Sequence, residues 1–327
     1  MKAKILVLTF LLLGSINAFP FNTKCNKQGD SDCSEPNFSR TFSPKKSIKH
    51  DGNINFKSAL FSITKSSIVS KANVPFYRIH IDGNIDIAPG GNKFWDLESK
   101  ATIVDLIDRQ IEPEAKDNAN FKDGTFYKTV FLSVLGQNIK ANEYYTISDD
   151  GLSAKRMTIV TQSVISSGIT VIVPTQEVLF NPSKPVCYFP LAYDGITHTV
   201  PQYNCTINAK VSGASALGIP DGTPVSYSIT FDDNYKVLSW GGLQLIDNEK
   251  PVNALLVQSE SKTVGSVFIN GTKAPQSVLS PLKMKQDSAS VSVSYSFRNR
   301  TYPDNIVEFG LEGNKVTYLS TIKTVKN

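Results

Sequence analysis

The chain has 327 residues, with 34 lysines and arginines, 29 acidic residues and a formal net charge of +5. This balance excludes the strongly basic surface of a nucleic-acid-binding protein and the polybasic patch of a membrane-surface protein. A chain of this length is enough for one large β domain or for two sandwiches of about 100–150 residues each.

The first eighteen residues have the layout of a secretory signal peptide. Lys2 and Lys4 give a positive start, an apolar run follows from Ile5 to Leu13, and small residues lead to a cleavage position at Ala18. The run is too short for a transmembrane helix, which needs about 20 apolar residues. We therefore expect export and a secreted, extracellular chain without a transmembrane anchor.

The four cysteines are Cys25, Cys33, Cys187 and Cys205. Four cysteines allow three pairings, and export favours their oxidation. Their spacing does not fit a zinc site. Proximity along the chain predicts two local disulfides, Cys25–Cys33 and Cys187–Cys205.

Composition divides the chain after the signal peptide. Residues 19–56 look irregular, and Lys45-Lys46 within them is either a processing site or a solvated loop. We expect β-rich segments at 57–211 and 225–327, separated by a possible linker at 212–224 that is rich in turn residues. The two segments could also form one continuous domain.

Alternation of apolar and polar residues is the dominant pattern from Phe56 onward, and it predicts half-buried strands. It is clear at 77–81, at 225–231 before a turn at Asp232-Asp233-Asn234, and at 289–297, where apolar residues alternate with serines. We expect the apolar residues to face inward against a second sheet. The predicted fold is all-β, an antiparallel sandwich or jelly-roll-like architecture of one or two packed domains.

One segment departs from this alternation. Between Leu97 and Gln110, Val104, Leu106 and Ile107 are spaced by mixed steps, and Pro113 follows as a stop signal. We expect one short amphipathic helix at 97–110, covering a sheet edge.

Four glycosylation sequons begin at Asn37, Asn204, Asn270 and Asn299. Asn204 precedes Cys205 in an alternating segment, so the sugar can point outward while the sulfur points inward. Asn270-Gly271 is typical of a hairpin tip. Asn299 ends the serine-rich strand.

The candidates for chemistry are few. His80 and Asp82 share a predicted strand face and Asp86 lies across a turn, which could form a general base or metal site, or only a solvated hairpin. Trp95 and Trp240 lie beside glycine-rich segments and either stack on a sugar or fill the core. Two Asp-rich turns, 148–151 and 232–234, could bind calcium or be ordinary turns. No HExxH, nucleophile elbow, P-loop or CxxC motif occurs, so the catalytic residues stay unknown and no cofactor or metal is expected.

Three functions fit these observations. The first is a secreted, N-glycosylated binding protein or matrix component without enzymatic activity, whose partner is an extracellular protein or glycan. The second is a carbohydrate-active hydrolase, because a pair of carboxylates leaves no fixed sequence pattern. The third is a carrier of a lipid or another small apolar ligand. The all-β pattern alone does not choose among them.

Overall fold

The structure is a computed structural model that describes residues 62–63, 74–113, 126–134, 137–166, 168–246, 248, 250–280, 285–300 and 305–322. The signal peptide, the 19–56 segment with Lys45-Lys46, and the predicted sites at Cys25, Cys33 and Asn37 lie outside these residues. The described part is mostly β-structure in large antiparallel sheets, which confirms the all-β fold class and is consistent with a sandwich. Within it, no helix has the length and hydrophobicity to cross a membrane.

The strands follow the chain in three groups. The first group is β1 (Ser62–Ile63), β2 (Val74–Ile81), β3 (Gly90–Asp96), β4 (Ala101–Pro113), β5 (Phe126–Val134), β6 (Gln137–Ile147) and β7 (Gly151–Ile159). The second is β8 (Gln162–Ser166), β9 (Ile169–Val173), β10 (Gln176–Tyr188), β11 (Leu191–Ala192), β12 (Thr197–Thr199) and β13 (Tyr203–Ser212). The third is β14 (Thr223–Gln244), β15 (Val252–Ile269), β16 (Thr272–Lys273), β17 (Ser288–Arg298), β18 (Val307–Glu312) and β19 (Lys315–Ile322), with the short helix α1 (Gln276–Leu279) after β16.

The long strands β14 and β15 organise the sheet. They pair antiparallel along almost their whole length, from Val225–Ile269 to Leu243–Val252. On its other edge, β14 pairs first with β13, then with β12, and finally with β3, which runs parallel to it. From β15 the antiparallel pairing continues through β17, β18, β19, β2, β4, β5, β6, β7 and β10. Strand β10 returns to β13 at Asn181–Asn204.

A large apolar core fills the space between these strands. It includes Trp95, Met157, Tyr203, Leu243 and Phe309, all of them buried. Trp95 packs edge-on against Phe297 with ring centroids 4.8 Å apart, in a preferred geometry for aromatic pairs.

The helix predicted at 97–110 is wrong. Residues 98–100 form a turn, and Ala101–Pro113 is strand β4, which pairs with β2 through Ile79–Ile103 and neighbouring residues. The segment is rich in β-branched residues, Thr102, Ile103 and Val104 among them, which favour a pleated strand. Mixed three- and four-residue spacing was too weak a signal to outweigh that preference.

The alternation predicted for β17 is confirmed at Phe297, which is buried in the core, but not in the first part of the strand. Val291 is 59% exposed and Val293 is exposed as well, whereas Ser290 and Ser296 are buried. The serines face inward because the space in front of them contains polar groups that need hydrogen-bond partners. Ser290, for example, shares a hydrogen bond of 2.8 Å with Thr263 on β15.

The turn predicted at Asp232-Asp233-Asn234 is also wrong, because β14 runs through it without interruption. All three residues pair with β15, as Asp233 does with Ser261. The possible linker at 212–224 joins β13 to β14, two strands that pair with each other. The number of domains stays a prediction.

Cys187 and Cys205 are buried thiols and do not form the predicted bridge with each other. The strand register explains the separation. Cys205 pairs with Ile229 on β14, whereas Tyr188, next to Cys187, donates its backbone N–H to the hydroxyl of Tyr235, farther along the same strand. A disulfide needs Cα atoms about 4.4–6.8 Å apart. Burial raises the pKa of the Cys205 thiol to about 12, so this thiol stays protonated and unreactive at neutral pH.

Candidate functional site

A half-open polar cavity of about 90 Å³ lies between two walls of the fold. We call it the serine cleft and define it by its lining residues, which come from β5, β6, β10, β13, β14, β15, β17 and the segments beside them. They are Lys128, Tyr145, Lys184, Pro185, Val186, Val200, Tyr203, Phe231, Asp233, Asn234, Tyr235, Ser259, Glu260, Ser261, Ser292, Ser294, Ser296, Arg298 and Asn305.

The serine wall of the cleft follows from the register of β14, β15 and β17. Ser259 on β15 pairs with Ser294 on β17, and Ser261 pairs with Ser292. Side chains two residues apart share a face of a strand, so Ser292 and Ser294 continue into Ser296 and Arg298. The wall is therefore a row of hydroxyl groups that ends at a guanidinium group.

Asp233 is the acidic group that β14 contributes to the cleft. Its carboxylate accepts hydrogen bonds from the Tyr203 hydroxyl at 2.6 Å and from the Ser261 hydroxyl at 2.5 Å. Tyr203 is held by Phe231, with stacked rings 4.7 Å apart. Burial raises the pKa of Tyr203 well above its usual value, and the charge of Asp233 adds to the effect. Tyr203 therefore remains a hydrogen-bond donor at neutral pH.

The opposite wall carries a buried ion pair. Glu143 on β6 is fully buried, and its carboxylate binds the Lys184 ammonium group at 2.8 Å. The Tyr145 hydroxyl donates to the same carboxylate at 2.9 Å. Burying an isolated carboxylate is very costly, so Lys184 and Tyr145 are what permit Glu143 at this depth.

Arg298 is the charged group of the cleft whose bonding is incomplete. Its side chain is only 7% exposed, and its Nε–H has no hydrogen-bond acceptor within the described part of the chain. The Oδ1 atom of Asn305, another lining residue, is also buried and has no hydrogen-bond donor within the described part of the chain. Buried polar atoms of this kind are rare in folded proteins, and they indicate a place where a bound molecule completes the bonding.

The predicted His80, Asp82 and Asp86 group does not assemble as one site. His80 lies 3.4 Å from Asp82, with both side chains largely exposed. Asp86 instead binds the Lys93 ammonium group at 2.6 Å, and the hydrogen bonds from Lys93 and from the Ala88 N–H lower the pKa of Asp86. Among the described residues, no cluster of three or more His, Cys, Asp and Glu side chains could hold a metal ion.

Both tryptophans proposed as sugar-stacking residues are buried. The Trp95 Nε1–H donates to the backbone oxygen of Asp86 at 2.8 Å. Trp240 packs so closely on Gly91 that a Cβ at that position would overlap its indole ring. The core packing explains both side chains without a ligand.

The three sequons within the described residues have different surroundings. Asn204 is exposed on β13 while Cys205 beside it is buried, which confirms the predicted alternation. Asn270 is exposed in the turn between β15 and β16, as predicted for a hairpin tip. Asn299 is only 4% exposed, and glycosylation at this position stays a prediction.

Several residues of the cleft were missed by the sequence interpretation, namely Glu143, Lys184, Tyr203 and Arg298. One signal was present, because the serines of 288–296 continue in the same alternation to Arg298. An arginine that continues the polar face of a strand indicates that this face meets polar groups. The glutamate and lysine gave no such signal, since their pairing joins strands far apart in sequence.

Comparisons with protein-family models, with curated protein sequences and with solved structures found no match for this chain. The fold and the site therefore define the protein only as an all-β chain with large antiparallel sheets and a polar cleft between two walls.

Proposed function

We propose that this chain is an exported, N-glycosylated protein that binds a small polar extracellular ligand in the serine cleft without transforming it. The observation that supports this most is the composition of the cleft. Ser259, Ser292, Ser294 and Ser296, together with the Arg298 guanidinium group, place hydrogen-bond donors along the lining, whereas the Tyr203 and Ser261 hydroxyls already donate to Asp233. Fixed donors at a concave site give orientation and specificity to a bound polar molecule.

The carboxylates near the cleft favour binding over hydrolysis. A glycoside hydrolase needs one carboxyl group to give a proton and a second one to act as base or nucleophile. Glu143 is held by Lys184 and Tyr145, and Asp233 is held by Tyr203 and Ser261. Each of the two already accepts hydrogen bonds from protein groups. The hydrolase remains the second candidate because Asp233 and Glu260 both line the cleft.

The size of the serine cleft argues against a lipid as the ligand of this site. The cleft volume of about 90 Å³ is well below the volumes of about 300–1,000 Å³ of pockets that hold drug-sized ligands, and apolar ligands prefer apolar linings. A small polar molecule, or a polar end group of a larger one, fits better.

Export and glycosylation complete the proposal. Residues 1–18 would direct the chain out of the cell, and Asn204 and Asn270 would carry glycans on exposed backbone. Neither of these two asparagines lines the cleft, so glycans on them leave the lining groups unmodified.

The test is a ligand panel on protein purified from the medium of a eukaryotic host. Amino acids, neutral sugars, sugar acids and short fatty acids are added separately, and the melting temperature and the recovered ligand are measured. We expect a polar class to raise the melting temperature and to be recovered unchanged, because binding to the native state stabilises it. The double variant Ser259→Val/Ser294→Val should lose the effect, and Asn204→Gln, away from the cleft, should keep it.

Consumption of a sugar by the wild-type protein would instead support the hydrolase. A fatty acid that raises the melting temperature through the same serines would support the carrier. Either result contradicts the proposed function.

A further inference from the structure

We propose that Arg298 is the specificity-determining residue of the serine cleft and that it binds an oxyanion, namely a carboxylate or sulfate group of the ligand. The inference rests on the proposed function, because it assigns the ligand class of the same site. The observation that carries it is a guanidinium group that is nine-tenths buried, lines a cavity and lacks an acceptor for its Nε–H in the described part of the chain.

The guanidinium group has the right geometry for such a ligand. It presents its N–H groups in a planar fork that matches the two oxygens of a carboxylate or two oxygens of a sulfate. An arginine stays protonated at all physiological pH values, so burial cannot neutralise it. An acceptor that enters the cleft would complete its bonding.

Among the other charged groups of the lining, Lys128 is buried with its ammonium group over the Tyr145 ring, 5.9 Å from the ring centroid. Lys184 is paired with Glu143 at 2.8 Å, and Asp233 accepts two hydrogen bonds from neighbouring hydroxyls. Glu260 is exposed on β15. Within the described part of the chain, Arg298 is thus a cation of the lining with unmet hydrogen-bonding capacity, and an anion would complement it.

Neighbouring groups of the cleft can also donate hydrogen bonds to the oxyanion. Ser294 and Ser296 precede Arg298 on the same face of β17, and both line the cleft. The amide of Asn305 can turn its NH₂ group toward the same oxygens, because its Oδ1 holds no hydrogen bond that would fix the orientation. A two-oxygen anion with a small substituent fills the cavity of about 90 Å³.

The experiment compares acetate with acetamide, a neutral molecule of the same shape, on the full secreted protein. Thermal shift and isothermal titration are carried out with each, at constant ionic strength set with chloride, and sodium sulfate forms a third arm. A ligand of four non-hydrogen atoms cannot bind tighter than about tens of micromolar, so concentrations extend to about 50 mM. We expect acetate to bind and acetamide not to bind.

Variants at Arg298 provide the second readout. Arg298→Met should weaken acetate binding by at least about tenfold, since hydrogen bonds to charged groups are lost. The same variant should not lower the melting temperature of the ligand-free protein, because it removes an incompletely bonded buried charge. Arg298→Lys keeps the charge without the fork and should also bind acetate more weakly. Arg300→Met, the same change at an exposed position two residues along the chain, should bind acetate as the wild type does.

The outcomes separate this inference from the proposed function. Equal binding of acetate and acetamide, or full binding of acetate by Arg298→Met, would contradict the role of Arg298. Neither result would contradict the proposal that the protein binds a polar ligand. A lower melting temperature for ligand-free Arg298→Met, with no loss of acetate binding, assigns Arg298 a purely structural role. Preference for sulfate over acetate would keep the site and change the oxyanion. If no polar molecule in the earlier panel binds either, the proposed function fails as well.

Discussion

At the scale of single residues, the buried pair of Glu143 and Lys184 is the group on which stability should depend most sharply. The Glu143 side chain is almost completely inaccessible, and its carboxylate is held by the Lys184 ammonium group and the Tyr145 hydroxyl. Removing one member of such a pair leaves an uncompensated buried charge. The two partners also lie on strands far apart in sequence, so the pair links two parts of the fold.

Replacing Lys184 with methionine should therefore be costly. We expect Lys184→Met to lower the free energy of unfolding by about 3–5 kcal/mol, the usual effect of breaking a buried ion pair. Lys210→Met, at an exposed position on β13, should change it by less than about 0.5 kcal/mol. Urea denaturation of the purified proteins measures both values.

The double variant Glu143→Gln/Lys184→Met tests the cause of that loss. Because the glutamine leaves no buried charge, the double variant should recover a large part of the stability lost in Lys184→Met. If Lys184→Met costs no more than Lys210→Met, the pair does not have the importance that we assign to it.

At the scale of elements, two glycines allow the close packing of β3 against β14. A Cβ on Gly91 would overlap the indole ring of Trp240, and a Cβ on Gly241 would overlap the backbone of Lys93. Strands β3 and β14 pair parallel at this point, through Gly241–Lys93 and Leu243–Trp95. Glycines within a strand favour such a close approach, but the sequence does not identify the strand that approaches.

These contacts predict an order of stability losses. Gly91→Ala should lower the free energy of unfolding by about 1–3 kcal/mol, the usual range for overpacking, because a side chain can shift to relieve it. Gly241→Ala should lower the free energy of unfolding by more, because the new Cβ would meet backbone atoms that strand pairing holds in place. In a Trp240→Phe background, Gly91→Ala should lower the free energy of unfolding by less than it does in the wild type. The loss caused by Gly241→Ala should be the same in both backgrounds. Thermal and urea unfolding of the wild type, the three single variants and the two double variants measure this order, and equal losses for the two glycines would contradict it.

The strands themselves were predictable where one face is apolar and the other polar. Tyr203, Cys205 and Ile207 alternate with exposed residues on β13 as their sequence indicates. The prediction failed where both faces meet protein or where polar groups face inward. On β17, Val291 is exposed and Ser296 is buried, because the interior in front of this strand is polar. Hydrophobicity alone cannot reveal that, since it assumes that the interior is apolar.

Local sequence signals also failed to predict how far the strands extend. The Asp-Asp-Asn segment has turn chemistry, but the carboxylate of Asp233 is satisfied within the fold by Tyr203 and Ser261, so β14 continues. The helix predicted around Val104 was overridden by β-branched residues that pair with β2. In each case, long-range contacts outweighed the local preference.

At the scale of the whole molecule, the cleft depends on topology that no local pattern contains. Its lining comes from strands spread along the chain, from Lys128 on β5 to Arg298 on β17. The return of β10 to β13 at Asn181–Asn204 brings the two walls within one continuous network of pairing. The assembly of the candidate site could not be predicted from the sequence for this reason, whereas the all-β class could.

The most direct test of the central claim is anomalous diffraction from crystals of the secreted protein soaked in selenate, an oxyanion with a strong anomalous signal. We predict a selenium peak in the serine cleft, with selenate oxygens within about 2.7–3.0 Å of the Arg298 guanidinium nitrogens. Crystals of Arg298→Met, soaked in the same way, should lack the peak. An empty wild-type cleft, with the Arg298 guanidinium bound to a protein carboxylate, would contradict the claim.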